Sequence, residues 1–385
     1  MEGAVERPRL AGLLKHFSAV TDARAEWRVA YPLPEVLLLT VCGTIASCDD
    51  YEDIVEWGEA HLDFLRRLQP YHHGIPCADW LRVLMNRVDP RLFSACFMAW
   101  ASELRADAPA LIALDGKTSR RSHDRGAGRQ ALHLVSAFAS NERLVLGQEA
   151  VAGKSCEQAA IRALLARLAE SGALNGAVVT IDALGCAPAI AAAIVEGGAD
   201  YVLAVKANQP SLHAEIQSFF ADAPPAALDT FVDIDKGHGR IEERRCVVAT
   251  DVAWLHGPRR YPGEPRFPGL AAIALVDAKV ELRDRCQRQR RYYILSKPLS
   301  AQDFAAAVRS HWRIENSLHW VLDVEFKEDL SRLRNGHGAQ NMAVVRHFAF
   351  NVVRAAGDQR SLKTRRKRAS WNPEYLASLL FPRPH

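Results

Sequence analysis

Three carboxylates draw attention by where they sit. Asp115 ends the apolar run 111–115 (LIALD), and Asp182 ends the apolar run 178–182 (VVTID). A side chain at the carboxyl end of a strand reaches the rim of an open α/β sheet, where binding sites gather. The third, Glu315, lies in HWRIENSLHW on a late helical stretch. Three convergent carboxylates repel one another unless cations neutralise them. Mg²⁺ takes carboxylate oxygens and shares its coordination with phosphate. Two such ions, about 3.5–4 Å apart, activate a nucleophile and stabilise the leaving oxygen of an in-line displacement. The pattern therefore suggests phosphoryl transfer on nucleic acid. Each residue alone also has a plainer reading. Asp115-Gly116 reads as a turn, Asp182 as a helix cap, and Glu315 as a solvated partner of Arg309 or Arg313.

The elements that must bring these residues together follow from the hydrophobic pattern. The chain has 385 residues, enough for two or three domains, and is 49% hydrophobic and 24% charged. That composition excludes disordered and fibrous classes. A net charge of +4 decides nothing about partners. Residues 1–105 read as helical, with helices over 33–48, 51–68, 79–88 and 90–104, the last opened by Pro90. His72 and His73, before a Gly-Ile-Pro turn, form no metal-ligand pattern beyond the pair itself. Residues 106–110 read as a linker. Strands are expected over 111–115, 132–139 and 144–151, the last two joined by a hairpin turn at 140–143. Helix 157–170, strand 178–182, helix 188–196 and strand 201–206 follow. That order implies a mixed sheet with helices on its faces. The stretch 231–296 is strand-rich, with candidates at 244–250, 270–276 and 292–296. Ser300 and Asp303 form a capping box opening a helix to about residue 322, and a second helix spans about 340–354.

Eight cysteines are spread through the chain without a C-x-x-C pair or zinc-ligand spacing. That usage fits a reduced intracellular protein. The N-terminus has no apolar signal core, and the longest apolar run, 36–48, is too short to span a bilayer. The expectation is a soluble cytoplasmic protein with no membrane partner.

Several long motifs carry a resemblance. The segments LIALDGKTSRRS, VVTIDALGCAPAIAAAIVEGGADYVLAVKANQPSLH, GHGRIEERR, YYILS and HWRIENSLHWVLDVEFKEDLSRLRNGHGAQNMAVVRHFAFNVVR resemble the DDE transposases of bacterial insertion sequences. The nearest group is the ISAs-type family with its H-repeat-associated proteins. YPLPEVLLLTVCGTIASCDDYEDIVEWG and HHGIP look like that family's associated N-terminal domain. The resemblance implies an α/β fold: an RNase H-like mixed sheet with flanking helices, a β-rich insertion and an N-terminal helical domain. The expected organisation is 1–105 helical and possibly DNA-binding, 106–355 catalytic with the insertion at about 225–298, and 356–385 a basic tail. It implies Asp115, Asp182 and Glu315 as the catalytic triad and metal ligands. The cofactor would be Mg²⁺, with Mn²⁺ also suited to oxygen ligands, at two ions per site. The family reaction cleaves the element's ends with water, after which the freed 3′-hydroxyl attacks target DNA. The partners implied are double-stranded DNA, as terminal inverted repeats and target, and a second copy of the chain in a paired-end complex.

The wider class places a tyrosine, an arginine and a lysine around the glutamate. Here those places hold Val308, His311 and Leu322, and Arg313 stands where a glycine is common. Lys327 or Arg332 is a candidate substitute for the lysine, and Asp323 and Glu328 are rival metal ligands. Further DNA contacts are expected at Lys117, at Lys206, Asn208 and Gln209 after a strand, and at His238 and Arg240 in the insertion. The basic runs 283–291 and 363–368 (KTRRKR) would contact phosphates in a salt-dependent way. Trp312 and Trp320 read as helix-packing residues. Two other readings stay open: a degenerate relic that binds DNA without cutting, and a nuclease with the same core that does not join strands.

Overall fold

Strand β1, Leu111–Thr118, begins with four buried residues and ends half-exposed. It pairs antiparallel with β2, His133–Ala139, which pairs antiparallel with β3, Leu144–Val151. On its other side β1 runs parallel to β4, Val178–Ile181, and β4 parallel to β5, Asp200–Val205. Parallel strands covered on both faces read as continuous apolar runs, and β4 and β5 do so. The helices Glu157–Glu170 and Pro188–Glu196 supply the crossovers between β3, β4 and β5. This is the expected RNase H-like mixed sheet. The computed structural model describes residues 9–105, 107–124, 126, 128–151, 156–206, 208–237, 240–256, 264, 266–281 and 286–381.

The β-rich insertion does not form a separate sheet. It supplies β6, Asp229–Gly237, β7, Arg240–Ala249, β8, Ala272–Glu281, and β9, Cys286–Leu295. Strand β9 pairs antiparallel with β5, from Val202↔Leu295 to Val205↔Tyr292. One nine-stranded sheet results, in the order β3-β2-β1-β4-β5-β9-β8-β7-β6. The expected strands 244–250, 270–276 and 292–296 cover mainly the buried inner ends. The outer halves, such as Cys286–Arg291, extend into solvent with charged residues, so the apolar pattern gives out before the strand does.

The helix Ala301–His311 lies across the sheet and contacts β1, β4, β6 and β7. The hydroxyl of Ser300 accepts from the Asp303 amide, as the capping box predicts. Phe304 and Val308 pack this helix onto Val202, Val248, Ala274, Val276 and Tyr293. The helix Gly338–Arg354 is almost wholly buried and packs on β3 and on the N-terminal helices Leu33–Ile45 and Pro90–Glu103. The rings of Phe17, Phe93, Phe97 and Trp100 surround Phe348 with centroids 5.0–5.7 Å away. The N-terminal helices and the nine-stranded sheet thus share one apolar core.

The basic C-terminal stretch is ordered as two helices, Leu362–Trp371 and Pro373–Leu380. Its basic run divides: Lys363 and Lys367 face solvent, while Arg365 and Arg366 are buried. Arg365 donates to Asp358 and to the Val353 carbonyl. Arg366 donates to the Thr44 carbonyl and lies 4.0 Å from the centre of the Phe326 ring. These two arginines therefore hold the helices in place and are not open to phosphate. Among the described residues no helix is long and apolar enough to cross a membrane.

Candidate active site

The sheet register brings the two aspartates side by side. Leu114 pairs with Ile181 in the parallel ladder, and each aspartate is the next residue along its chain. Strand β4 stops there, whereas β1 continues against β2 as far as Thr118. Asp115 is thus reached at the rim because its parallel neighbour ends, not because its own strand does. Its Oδ1 accepts from the Gly116 amide at 2.9 Å. Asp182 Oδ1 accepts from the Leu184 amide at 2.9 Å and caps the short turn Ala183–Gly185. Asp182 thus caps a short turn and not the helix Pro188–Glu196, whose N-cap is Ala187.

Glu315 does not lie on an uninterrupted α-helix. The expected helix to residue 322 is α-helical over Ala301–His311, widens into a π-turn at Glu315–His319, and resumes over Trp320–Val324. Such π-turns recur at functional sites, and no apolar periodicity announces them. This turn brings in a residue the sequence reading passed over, His319. Its Nδ1 lies 3.5 Å from Asp115 Oδ2 and 3.5 Å from Glu315 Oε2. Ligand atoms of Asp115, Glu315 and His319 all lie within 4.8 Å of one another. Asp182 adjoins Asp115 through the strands but is not in that closest group. The Glu-x-x-x-His spacing was the available signal for His319, since residues four apart share a helix face.

Burial first, and then the Glu315 carboxyl beside it, push the Asp115 carboxyl up to about 8. Glu315 shifts the opposite way: the hydrogen bond from His319 holds it below the usual carboxylate range against partial burial. The pair therefore retains one proton near neutral pH, chiefly on Asp115. Burial also pushes His311 down, although Asp182 and Glu315 oppose that shift. His311 Nδ1 contacts Thr180 Oγ1 at 3.0 Å, which ties the Glu315 helix to β4. Two crowded carboxylates, one kept protonated by burial and by the other, are a donor set that a divalent cation fits: it would replace the proton and relieve the repulsion.

A pH dependence follows. The folded chain holds the Asp115 proton up to about pH 8, whereas the unfolded carboxyl releases it near 3.8. Between those values the folded state binds more protons, so this group makes stability fall as pH rises. A bound divalent ion favours the ionised carboxylate. Mn²⁺ should therefore raise the unfolding temperature more near pH 8.5 than near pH 5.5, as thermal melts with and without the ion would show. Equal shifts at the two pH values would contradict the assignment.

The other expected site residues differ in what they touch. Lys117 is turned inward. Its ammonium is 2.7 Å from Asp323, 3.4 Å from Glu328 and 3.7 Å from Asp329, and its side chain is nearly buried. It therefore offers no free charge to DNA, and Asp323 and Glu328, the rival ligands, are engaged with it. Asn208 donates to the Ala183 carbonyl at 2.6 Å and Gln209 to the Cys186 carbonyl at 3.2 Å. Both side chains brace the loop that follows Asp182. Lys206, Arg313 and Arg332 are exposed. Arg240 opens β7, and His238 lies outside the described residues. Lys327, in a left-handed backbone conformation, is paired with Asp49.

The departures from the wider class have a packing basis. Val308 and Leu322, at the tyrosine and lysine places, are buried in apolar clusters. His311, at the arginine place, faces the carboxylates. Trp312 and Trp320 correct the packing expectation: they are 44% and 55% exposed. The guanidinium of Arg291 lies 4.8 Å from the centre of the Trp312 ring. Trp312, Arg313, Asn316 and Arg291 line a groove of about 740 Å³ between the insertion strands and the Glu315 helix.

This geometry coincides with known sequence families. Residues 106–352 match the family described as "Transposase DDE domain", and residues 14–101 match "DDE_Tnp_1-associated". The chain belongs to the DDE transposase family. Within it, the chain is 35% identical over 379 residues to "H repeat-associated putative transposase YhhI" of Escherichia coli K12, covering 96% of this chain and 98% of that one. It is also 35% identical over 382 residues to "Putative transposase YncI" of Escherichia coli O157:H7, covering 96% and 95%. Among solved structures, a piggyBac transposase synaptic complex with hairpin DNA aligns at a TM-score of 0.44 and 10% identity, over 97% of this chain and 79% of that one.

Proposed function

We propose that this chain is a catalytically competent insertion-sequence transposase that binds the terminal inverted repeats of its own element, cleaves them and joins the freed ends to target DNA. The observation that carries the reading is the placement of Asp115 beside Asp182 on adjacent strands, with Glu315 brought close to Asp115 by a π-turn. Asp115, Asp182 and Glu315 would hold divalent cations, Mg²⁺ or Mn²⁺, in a two-ion arrangement. Such ions supply a more acidic water and charge stabilisation at the phosphorus. The chain's own contribution is placement. Register fixes the two aspartates, the Leu184 amide orients Asp182, and Asn208 and Gln209 hold the loop behind it.

Duplex ends would be held through phosphates by the exposed Lys206, Arg313 and Arg332. Such contacts position DNA without reading its sequence. Trp312 and Trp320 lie exposed on either side of Glu315, and although Arg291 covers one face of the Trp312 ring, the remaining aromatic surface would suit stacking of unpaired bases at a DNA end. The helical region 1–105 would read the repeat, the core 106–355 would carry the chemistry, and two copies would hold paired ends.

The test uses the full chain, DNA carrying the element's own ends, and Mg²⁺ or Mn²⁺. Cleavage at the ends followed by joining to a second duplex is the expected result. Binding without cleavage in either ion would make it a DNA-binding relic. Cleavage without joining or dependence on the ends would make it a nuclease.

A further inference from the structure

We infer that His319 is itself a ligand, so that the cation held by Asp115 and Glu315 is bound by two carboxylates and one imidazole nitrogen. The inference rests on the reading of a divalent cation at Asp115 and Glu315 and adds a donor to it. Four observations support it.

The first is position. Nδ1 of His319 is 3.5 Å from an oxygen of each carboxylate. Neighbouring ligands around an ion with bonds of about 2.1 Å lie about 3 Å apart, so a small movement of side chains suffices. The second is burial. His319 is 5% exposed, and its other nitrogen, Nε2, is enclosed without a hydrogen-bond partner. Among the described residues, Nδ1 faces these two carboxylates, and a side chain serving only to pack would not need an imidazole here. The third is backbone. His319 closes the π-turn that Glu315 opens, so one local irregularity places both donors. The fourth is the donor group itself. Asp115, Glu315 and His319 form the tight group, whereas Asp182 stands outside it and caps its own turn. The first cation would therefore sit against Asp115, Glu315 and His319, and Asp182 would turn inward to complete or share it.

The ligand set has a consequence for the metal. Carboxylate, carbonyl and water oxygens suit Mg²⁺, whereas imidazole favours transition ions. An all-oxygen site would discriminate little between Mg²⁺ and Mn²⁺ on ligand type, while a site with one imidazole binds Mn²⁺ more tightly. The same chain should then bind Mn²⁺ at least about tenfold more tightly than Mg²⁺, and His319→Gln should remove most of that difference.

The deciding readout is spectroscopic. Mn²⁺ is bound to the full-length protein without DNA, and pulsed electron paramagnetic resonance reads ¹⁴N coupling to the ion. Nitrogen coupling in the wild type that disappears in His319→Gln, with Mn²⁺ still bound at least about tenfold more weakly, is the expected result. Bound Mn²⁺ lacking nitrogen coupling in the wild type overturns the inference, whether or not the variant folds, and leaves a carboxylate site standing. Coupling that persists in His319→Gln also overturns it and points to His311. Mn²⁺ binding unaffected by Asp115→Asn would defeat the underlying cation site as well, which separates failure of that reading from failure of this one.

Discussion

Replacing Glu315 with glutamine is expected to slow cleavage at the element's ends by about a thousandfold or more, while binding of those ends persists. The substitution keeps the size of the side chain but removes its charge and turns one acceptor oxygen into a donor. Glu315 is half-exposed at the mouth of the site, so glutamine disturbs no packing. Burial instead concentrates at Ile314 and Leu318, which anchor the same helix in the core. The change also has an internal signature. Glu315 is the main neighbouring charge raising the Asp115 pKa, so glutamine lets Asp115 ionise at lower pH. The variant should combine lost cleavage with a smaller pH dependence of folding stability between about pH 5 and pH 8. Cleavage assays on radiolabelled ends, paired with mobility shifts, would check the first; urea unfolding across that range would check the second. A variant that still cuts within about tenfold of the wild type would remove Glu315 from the catalytic set.

The two aspartates were legible because each interrupts a run of apolar residues at the point where a strand must leave the core. That signal is local, and the strand-helix order around it is local too. His319 was not legible in the same way. Its role depends on a π-turn that rotates Glu315 and His319 toward Asp115, and the apolar residues of this helix read equally well as a plain α-helix. Lys117 was misjudged for a different reason. A lysine two residues after Asp115 reads as a phosphate contact, but its three acidic neighbours come from positions 323–329, where the chain returns to β1. Trp312 and Trp320 show the same limit. Aromatic residues on a helix usually pack, yet here Ile314, Leu318 and Leu322 take the buried face and leave both tryptophans outside. The paired arginines near the C-terminus looked like a phosphate-binding run. Their burial follows from Asp358, Thr44 and Phe326, contacts no local pattern predicts.

The Lys117 contacts lead to the second large effect. Strand β1 carries Asp115, and the chain after Glu315 carries Asp323, Glu328 and Asp329. One buried ammonium therefore joins the two elements whose relative position sets the site. Burial disfavours a charge on Lys117, but the three carboxylates outweigh it and raise its pKa, so the side chain stays charged. Glu328 is likewise pushed up by burial, and Lys117, Arg346 and His347 bring it below its usual value. Lys117→Met keeps the aliphatic bulk and removes the charge, leaving a buried Glu328 and a half-buried Asp323 with less compensation. Breaking one side of a buried ion cluster costs about 3–5 kcal/mol, a large share of a typical folding stability of about 5–15 kcal/mol. The expected result is a clear drop in the urea midpoint, partly restored by adding Glu328→Gln, because the second change removes the stranded charge. Cleavage should fall in Lys117→Met under conditions where the protein remains folded, since Asp115 and Glu315 are then no longer held by a common tie. A loss below about 1 kcal/mol, the range of exposed pairs, would mean that solvent already screens this cluster and that packing alone sets the distance between β1 and the Glu315 helix.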